Sequence, residues 1–138
     1  PKPEQEATAK FYENQDNVDS FVDTFKGRLE ESLKVLHGGI QDMKGKGFSV
    51  ESIEPMGALY LTIKLDYLGK TKPDGGVINN SSDLVFYLIN EGGVALVPFS
   101  AFGDQPSAPW FRASVGGLTI DEIKVMLPKL EKALAQLS

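Results

Sequence analysis

The stretch Pro109-Trp110-Phe111-Arg112-Ala113-Ser114-Val115-Gly116-Gly117 sets a guanidinium inside an otherwise strand-like run. Lysine and arginine together number 14, and only Arg28 and Arg112 are arginine. A chain that decorates its surface with lysine gains something particular from arginine: a planar fork that meets a carboxylate or a phosphate with two parallel hydrogen bonds. Alternation along a strand puts Phe111, Ala113 and Val115 on one face and Trp110, Arg112 and Ser114 on the other. If the first face meets helices, Arg112 faces away from them. An arginine on a strand's open face is commonly solvated or in a rim ion pair worth under about 1 kcal/mol. Here Trp110 shares that face and the neighbouring "VPFSAFG" adds two phenylalanines, which is a poor surface for water. A second domain, a second subunit or a ligand covering the face explains it better.

Other residues with chemical potential form no constellation. His37 is the single histidine, near what reads as a helix end, where a structural or solvated role is expected. With no cysteine and one histidine, a metal would need carboxylates alone, and no Asp/Glu spacing matches a calcium loop. No Gly-x-Ser-x-Gly elbow is present to pair with His37. The glycines of "GKGF" and "PDGG" lack phosphate-loop spacing, and Lys64 reads as a surface lysine. No catalytic, cofactor-binding or metal-binding residue is expected within the chain; Arg112 is the one candidate for binding a substrate.

The elements that must position Arg112 follow from periodicity. The 138 residues suit one domain, which at this length buries about 68% of its unfolded surface. A hydrophobic share of 41% and a charged share of 24% are those of a globular chain. The net charge of −5 argues against a nucleic-acid or anionic membrane partner. There is no apolar run of about 18 residues and no basic-then-apolar leader pattern, so a cytoplasmic location is the expectation. The chain starts at Pro1 and not at methionine, as a piece of a longer polypeptide would.

Residues 1–15 read as an N-terminal arm or short helix. From Asn17, Val18, Phe21, Val22, Phe25, Leu29, Leu33 and Leu36 recur at spacings of three and four, predicting a helix of about 30 Å, capped by Asp16 or Asn17 and stopped near Gly38-Gly39. A lone stripe of that length usually bridges two bodies or runs the length of one. Period two then takes over: Phe48 and Val50, a turn at Glu54-Pro55-Met56-Gly57, and Leu59, Leu61, Ile63 and Leu65 alternating with Tyr60, Thr62 and Lys64, as in a hairpin. Residues 66–82 are turn-rich and are expected to be disordered or a mobile flap. A short helix, Asp83 to Asn90, capped by Ser81 or Ser82, ends at Gly92-Gly93. "VALVP" makes a short strand and the arginine strand follows. A last helix opens with the capping box Thr119-x-x-Glu122 and carries Pro128, which is expected to kink it. The order predicts an α+β fold, a small, mainly antiparallel sheet with helices packed on one face.

"GGVALVPFSAFGDQPSAPWFRASVGGLTIDEIKVMLPKLEKAL" resembles the C-terminal segment of class I/II aminotransferases, the fold-type-I enzymes that use pyridoxal phosphate. The resemblance includes the strand of type "(v/l/f)R(l/a)S(f/v)" and the amphipathic helix after it. Upstream, "VDSFVDTFKGRLEESLKVL" resembles that family's long inter-domain helix and "EPMGALYLTIKL" its "P-x-G-(a/t)-f/l-y" strand. Phe99 departs from the pattern, standing where the family has glycine after "vP". The resemblance implies that residues 16–138 are the C-terminal small domain and that Arg112 binds the α-carboxylate of an amino-acid or 2-oxo-acid substrate. It implies further a large domain of the same polypeptide that holds pyridoxal phosphate and its lysine, and a homodimeric parent. The family carries that lysine in the large domain, N-terminal to every segment matched here, so the chain by itself is expected to be inert. Two other readings stay open: a stand-alone α+β module binding a small anion or a protein, and the small domain of a related pyridoxal-phosphate lyase or synthase.

Overall fold

A computed structural model describes residues 1–138. Four strands form one antiparallel sheet in the order β1-β2-β4-β3, from β1 (Val50–Ser52), β2 (Tyr60–Leu65), β3 (Val97–Pro98) and β4 (Trp110–Ser114). The helices are α1 (Lys2–Tyr12), α2 (Gln15–Gly45), α3 (Ser81–Gly92) and α4 (Ile120–Ala135), with a 3₁₀ turn at Phe99–Phe102 before β4. The expected α+β layer, helices on one face of a small antiparallel sheet, is what forms. No helix is long and apolar enough to cross a membrane.

The alternation read in the sequence decides which sheet face is covered. Leu61, Ile63 and Leu65 of β2 and Phe111, Ala113 and Val115 at β4 are buried, while Tyr60 and Ser114 are exposed and Thr62, Lys64, Trp110 and Arg112 are half-buried. The register Leu61↔Ala113 and Ile63↔Phe111 puts the buried sets side by side, and Thr62↔Arg112 puts the polar set side by side on the open face. On the covered face α2 contributes Leu29, Leu33, Leu36, Ile40 and Met43, one residue per turn along a single stripe. From α4 come Ile123, Leu130 and Leu134, and from α3 Leu84 and Leu88.

Four local expectations are corrected. Gly38-Gly39 does not stop α2, which runs on to Gly45. Gly39 is needed there for its size, because the side chain of Leu127 from α4 occupies the space where a Cβ would stand. The cap of α2 is Asn14, not Asp16 or Asn17, its side chain accepting from the Asn17 N–H at 3.2 Å. Asn80, not Ser81 or Ser82, caps α3 by accepting from the Asp83 N–H. Residues 66–82 are folded: Tyr67 and Ile78 are buried, Thr71 bridges Val77, and the Thr71 and Ser138 backbones exchange hydrogen bonds of 2.8 and 3.2 Å. These side chains bury enough apolar surface to anchor the connection, which its glycine and proline content concealed. Helix α4 continues through Pro128 to Ala135, and the 1–15 segment is helical over Lys2–Tyr12.

At about 46 Å, α2 is longer than the sequence pattern predicted. Its first fully buried residue is Leu29 and Phe25 packs against the edge of the core, so about 15 Å of helix before Phe25 carries apolar side chains that the core does not take up. Phe11 and Phe21 meet edge to face at 5.9 Å, and Phe21 stacks on Phe25 at 6.0 Å. Phe21 nevertheless stays 58% exposed.

Candidate functional site

Arg112 lies in β4, a strand paired on both sides, with its backbone opposite Thr62 of β2 and Val97 of β3. The side chain rises from the sheet face that no helix covers, as its alternation predicted. Its guanidinium carbon is 4.2 Å from the ring centre of Tyr60 and 4.3 Å from that of Phe102. Phe102's own ring partner is Phe99, 6.5 Å away and edge to face, not Tyr60. Two rings that both approach the guanidinium this closely without touching each other stand on different sides of it.

Local structure supplies both rings. Tyr60 pairs with Ser114, so it is the diagonal neighbour of Arg112 on the same sheet face, a separation an aromatic side chain spans. Phe102 is brought over the sheet by the 3₁₀ turn, which closes at Gly103 with φ 96°, a left-handed conformation that glycine adopts without strain. The turn is tethered to the start of α3: the Ser81 and Ser100 hydroxyls are 2.9 Å apart, and the Ser81 N–H donates to the Pro106 carbonyl at 2.9 Å. Phe99, which stands where the resemblance expects glycine, is the ring that meets Phe102.

Nothing in the chain answers the charge of Arg112. Its Nε is buried without a hydrogen-bond partner, and Arg112 takes part in none of the ion pairs. A buried donor without an acceptor costs free energy, about 1–3 kcal/mol and more for a charged group, so a site that retains one is suited to an incoming acceptor. Cation–π contacts offset part of that cost, at about 0.5–2 kcal/mol each. Arg28, by contrast, is satisfied: its Nη2 donates to the Gly116 carbonyl at 3.3 Å and its guanidinium lies over Phe25.

The other candidates fall away from this site. His37 bonds through Nδ1 to the Ser52 hydroxyl at 2.8 Å, and Gln41 donates to the same hydroxyl. Ser52 is opposite Ile63, on the core face, so the sheet stands between His37 and Arg112. His37 thus stitches α2 to β1. Lys64 shares the open face with Arg112 and is engaged by Asp66 at 3.4 Å. No group of three or more His, Cys, Asp or Glu side chains is placed to hold a metal. Sequence patterning puts Phe102 beside the arginine face and Tyr60 on the mixed face of β2, and the structure brings both rings against Arg112. The signal was present in the parity of Tyr60 with Thr62.

A profile of the family "Aminotransferase class I and II" matches residues 1–130. The chain belongs to that family. It is 33% identical over 118 residues to a bifunctional aspartate aminotransferase and glutamate/aspartate-prephenate aminotransferase of Petunia hybrida, covering 85% of the chain and 22% of that relative. Against an aspartate aminotransferase of Pinus pinaster it is 30% identical over 129 residues, covering 93% of the chain and 24% of the relative. The fold superposes on the crystal structure of the aspartate aminotransferase from Rhizobium meliloti with TM-score 0.72 and 28% identity, over 91% of the chain and 28% of that structure. The chain thus spans about a quarter of the proteins it matches.

Family membership implies pyridoxal phosphate, and the residues around Arg112 do not by themselves fit it. The one orphaned buried polar atom is a donor on a guanidinium already bounded by two rings. The lysine of the same face is tied to Asp66. What the arrangement fits is one small anion.

Proposed function

We propose that residues 16–138 are the C-terminal small domain of a pyridoxal-phosphate-dependent aminotransferase, with 1–15 leading into it, and that Arg112 grips the substrate's α-carboxylate. The observation that carries this reading is the guanidinium of Arg112, aimed off the open face of the sheet with no partner in its own chain. A carboxylate taken up there has both oxygens held by one rigid group, each charged hydrogen bond contributing about 1.5–3 kcal/mol. Fixing both oxygens sets the direction of the bonds at the α-carbon, which is this domain's contribution to the reaction.

Pyridoxal phosphate and its lysine belong, in this reading, to a large domain of the same polypeptide, which docks over the Arg112 face and along the overhanging half of α2. The exposed apolar side chains Phe21 and Val22 on that overhang support the docking. The parent is a cytoplasmic homodimer acting on an amino acid and a 2-oxo acid. The named activities of the Petunia and Pinus relatives make aspartate the amino acid to assay first.

Two assays test the proposal. The 138-residue chain, given pyridoxal phosphate, aspartate and 2-oxoglutarate, should transfer no amino group; turnover would overturn the domain assignment. In the longer polypeptide, Arg112→Lys keeps the charge and removes the fork, and kcat/KM should fall about 10- to 100-fold. An undiminished kcat/KM would overturn the role of Arg112.

A further inference from the structure

We propose that Tyr60 and Phe102 are positioning residues that make the Arg112 site selective for a flat carboxylate over a tetrahedral oxyanion. The proposal rests on Arg112 holding a carboxylate and adds which side chains make it reject other anions. The rings occupy the space on either side of the guanidinium, at 4.2 and 4.3 Å from its central carbon. Nε is buried, whereas Nη1 and Nη2 have no partner and are not buried. An anion therefore approaches along the plane of the guanidinium, at the Nη edge.

A carboxylate suits that approach because its two oxygens lie in one plane, the plane of the fork. A phosphate or sulfate can place two oxygens in the same positions, but its other two then project above and below. There the two rings exclude the water or donors that those oxygens would need. The rings also stop the guanidinium from swinging out of plane to accommodate a bulkier anion, so ordering that binding would otherwise have to supply is already present. Phe102 is the more adjustable of the two walls, since it comes from a 3₁₀ turn. Tyr60 is fixed by the ladder of β2.

The chain's two arginines make the experiment simple, because the ¹⁵N spectrum of arginine side-chain Nε–H groups holds two signals. Arg28, bonded to Gly116, is the internal reference. The labelled chain is titrated with sodium acetate and with inorganic phosphate at constant ionic strength. The wild-type Arg112 signal should move saturably with acetate, and phosphate should bind about three- to tenfold more weakly, the size of one cation–π contact. Phe102→Ala and Tyr60→Leu should bring the acetate-to-phosphate ratio close to one, while Tyr60→Phe, which keeps the ring, should preserve it. Backbone spectra identify any variant that fails to fold, and the Tyr60→Leu and Tyr60→Phe pair then decides the matter. Equal binding of both anions by the wild type, or a ratio untouched by losing either ring, overturns the clamp and leaves Arg112 as an anion site. An Arg112 signal indifferent to both anions overturns the anion site itself.

Discussion

Leu127 of α4 lies where a side chain on Gly39 of α2 would have to be, its Cγ 3.0 Å from the position of a Cβ. The two helices touch there because one of them has nothing to offer but a backbone. Gly39→Ala should therefore lower stability by about 1–3 kcal/mol through overpacking, despite alanine's better helix propensity. Gly38 next to it has open space around its Cβ position, and Gly38→Ala should raise stability by up to about 1 kcal/mol. Urea melts of the two single variants check this. Similar effects from both would show that Leu127 does not set the cost.

The start of α4 is fixed by a reciprocal pair. Thr119 accepts from the Glu122 N–H at 3.2 Å, and the Glu122 carboxylate accepts from the Thr119 N–H and hydroxyl, each at 2.8 Å. Thr119→Ala should cost about 1 kcal/mol. The Thr119 backbone N–H, then its hydroxyl, hold the Glu122 carboxyl below the usual glutamate range. A depressed folded-state value gives stability that is present above the unfolded value of about 4.3 and fades as pH falls through the folded one. Glu122→Gln does not titrate, so its deficit against wild type at pH 7 should shrink as melts are repeated below about pH 4. A deficit constant from pH 7 to pH 3 would contradict the pairing.

Tyr87 of α3 donates its hydroxyl to the Ala133 carbonyl of α4 at 2.8 Å, and burial raises its phenol above the usual value. Tyr87→Phe should cost about 1 kcal/mol with little change in shape. A neutral result would show that the Ala133 carbonyl finds another donor.

Phe21 and Phe111 separate the two apolar surfaces. Phe111 is fully enclosed beneath the helices, and Phe111→Ala should cost about 3–5 kcal/mol. Phe21 is on the overhanging part of α2, and Phe21→Ser should change stability by no more than about 0.5 kcal/mol. It should also reduce self-association in sedimentation experiments at high concentration, because it removes the centre of an exposed aromatic cluster. A large stability loss from Phe21→Ser would mean that the overhang packs on the body.

The legible part of the site was its direction. Period-two alternation from Trp110 to Val115 assigns Arg112 to the open face, because one wrong step would bury a charge and expose Phe111. The hairpin and the final capping box were equally legible, since each depends on residues a few positions apart. The clamp was not, because Tyr60, Phe102 and Arg112 come from three elements, and only the register of β2 on β4 and the path of the 3₁₀ turn bring them together. Gly38-Gly39 misled for the same reason: a local helix-stopping signal was overridden by the close approach of α4. The capping of α2 by Asn14 and of α3 by Asn80 was missed by a few positions, where several polar residues in a row could serve.

Arg112, on the reading proposed above, keeps its fork free for a carboxylate from outside the chain. A crystal structure of this chain grown with 2-oxoglutarate tests it most directly. One carboxylate should lie in the plane of the guanidinium, both oxygens about 2.7–2.9 Å from Nη1 and Nη2, between Tyr60 and Phe102. An Arg112 ion-paired to an acid of its own chain, with the 2-oxo acid bound elsewhere, would contradict it.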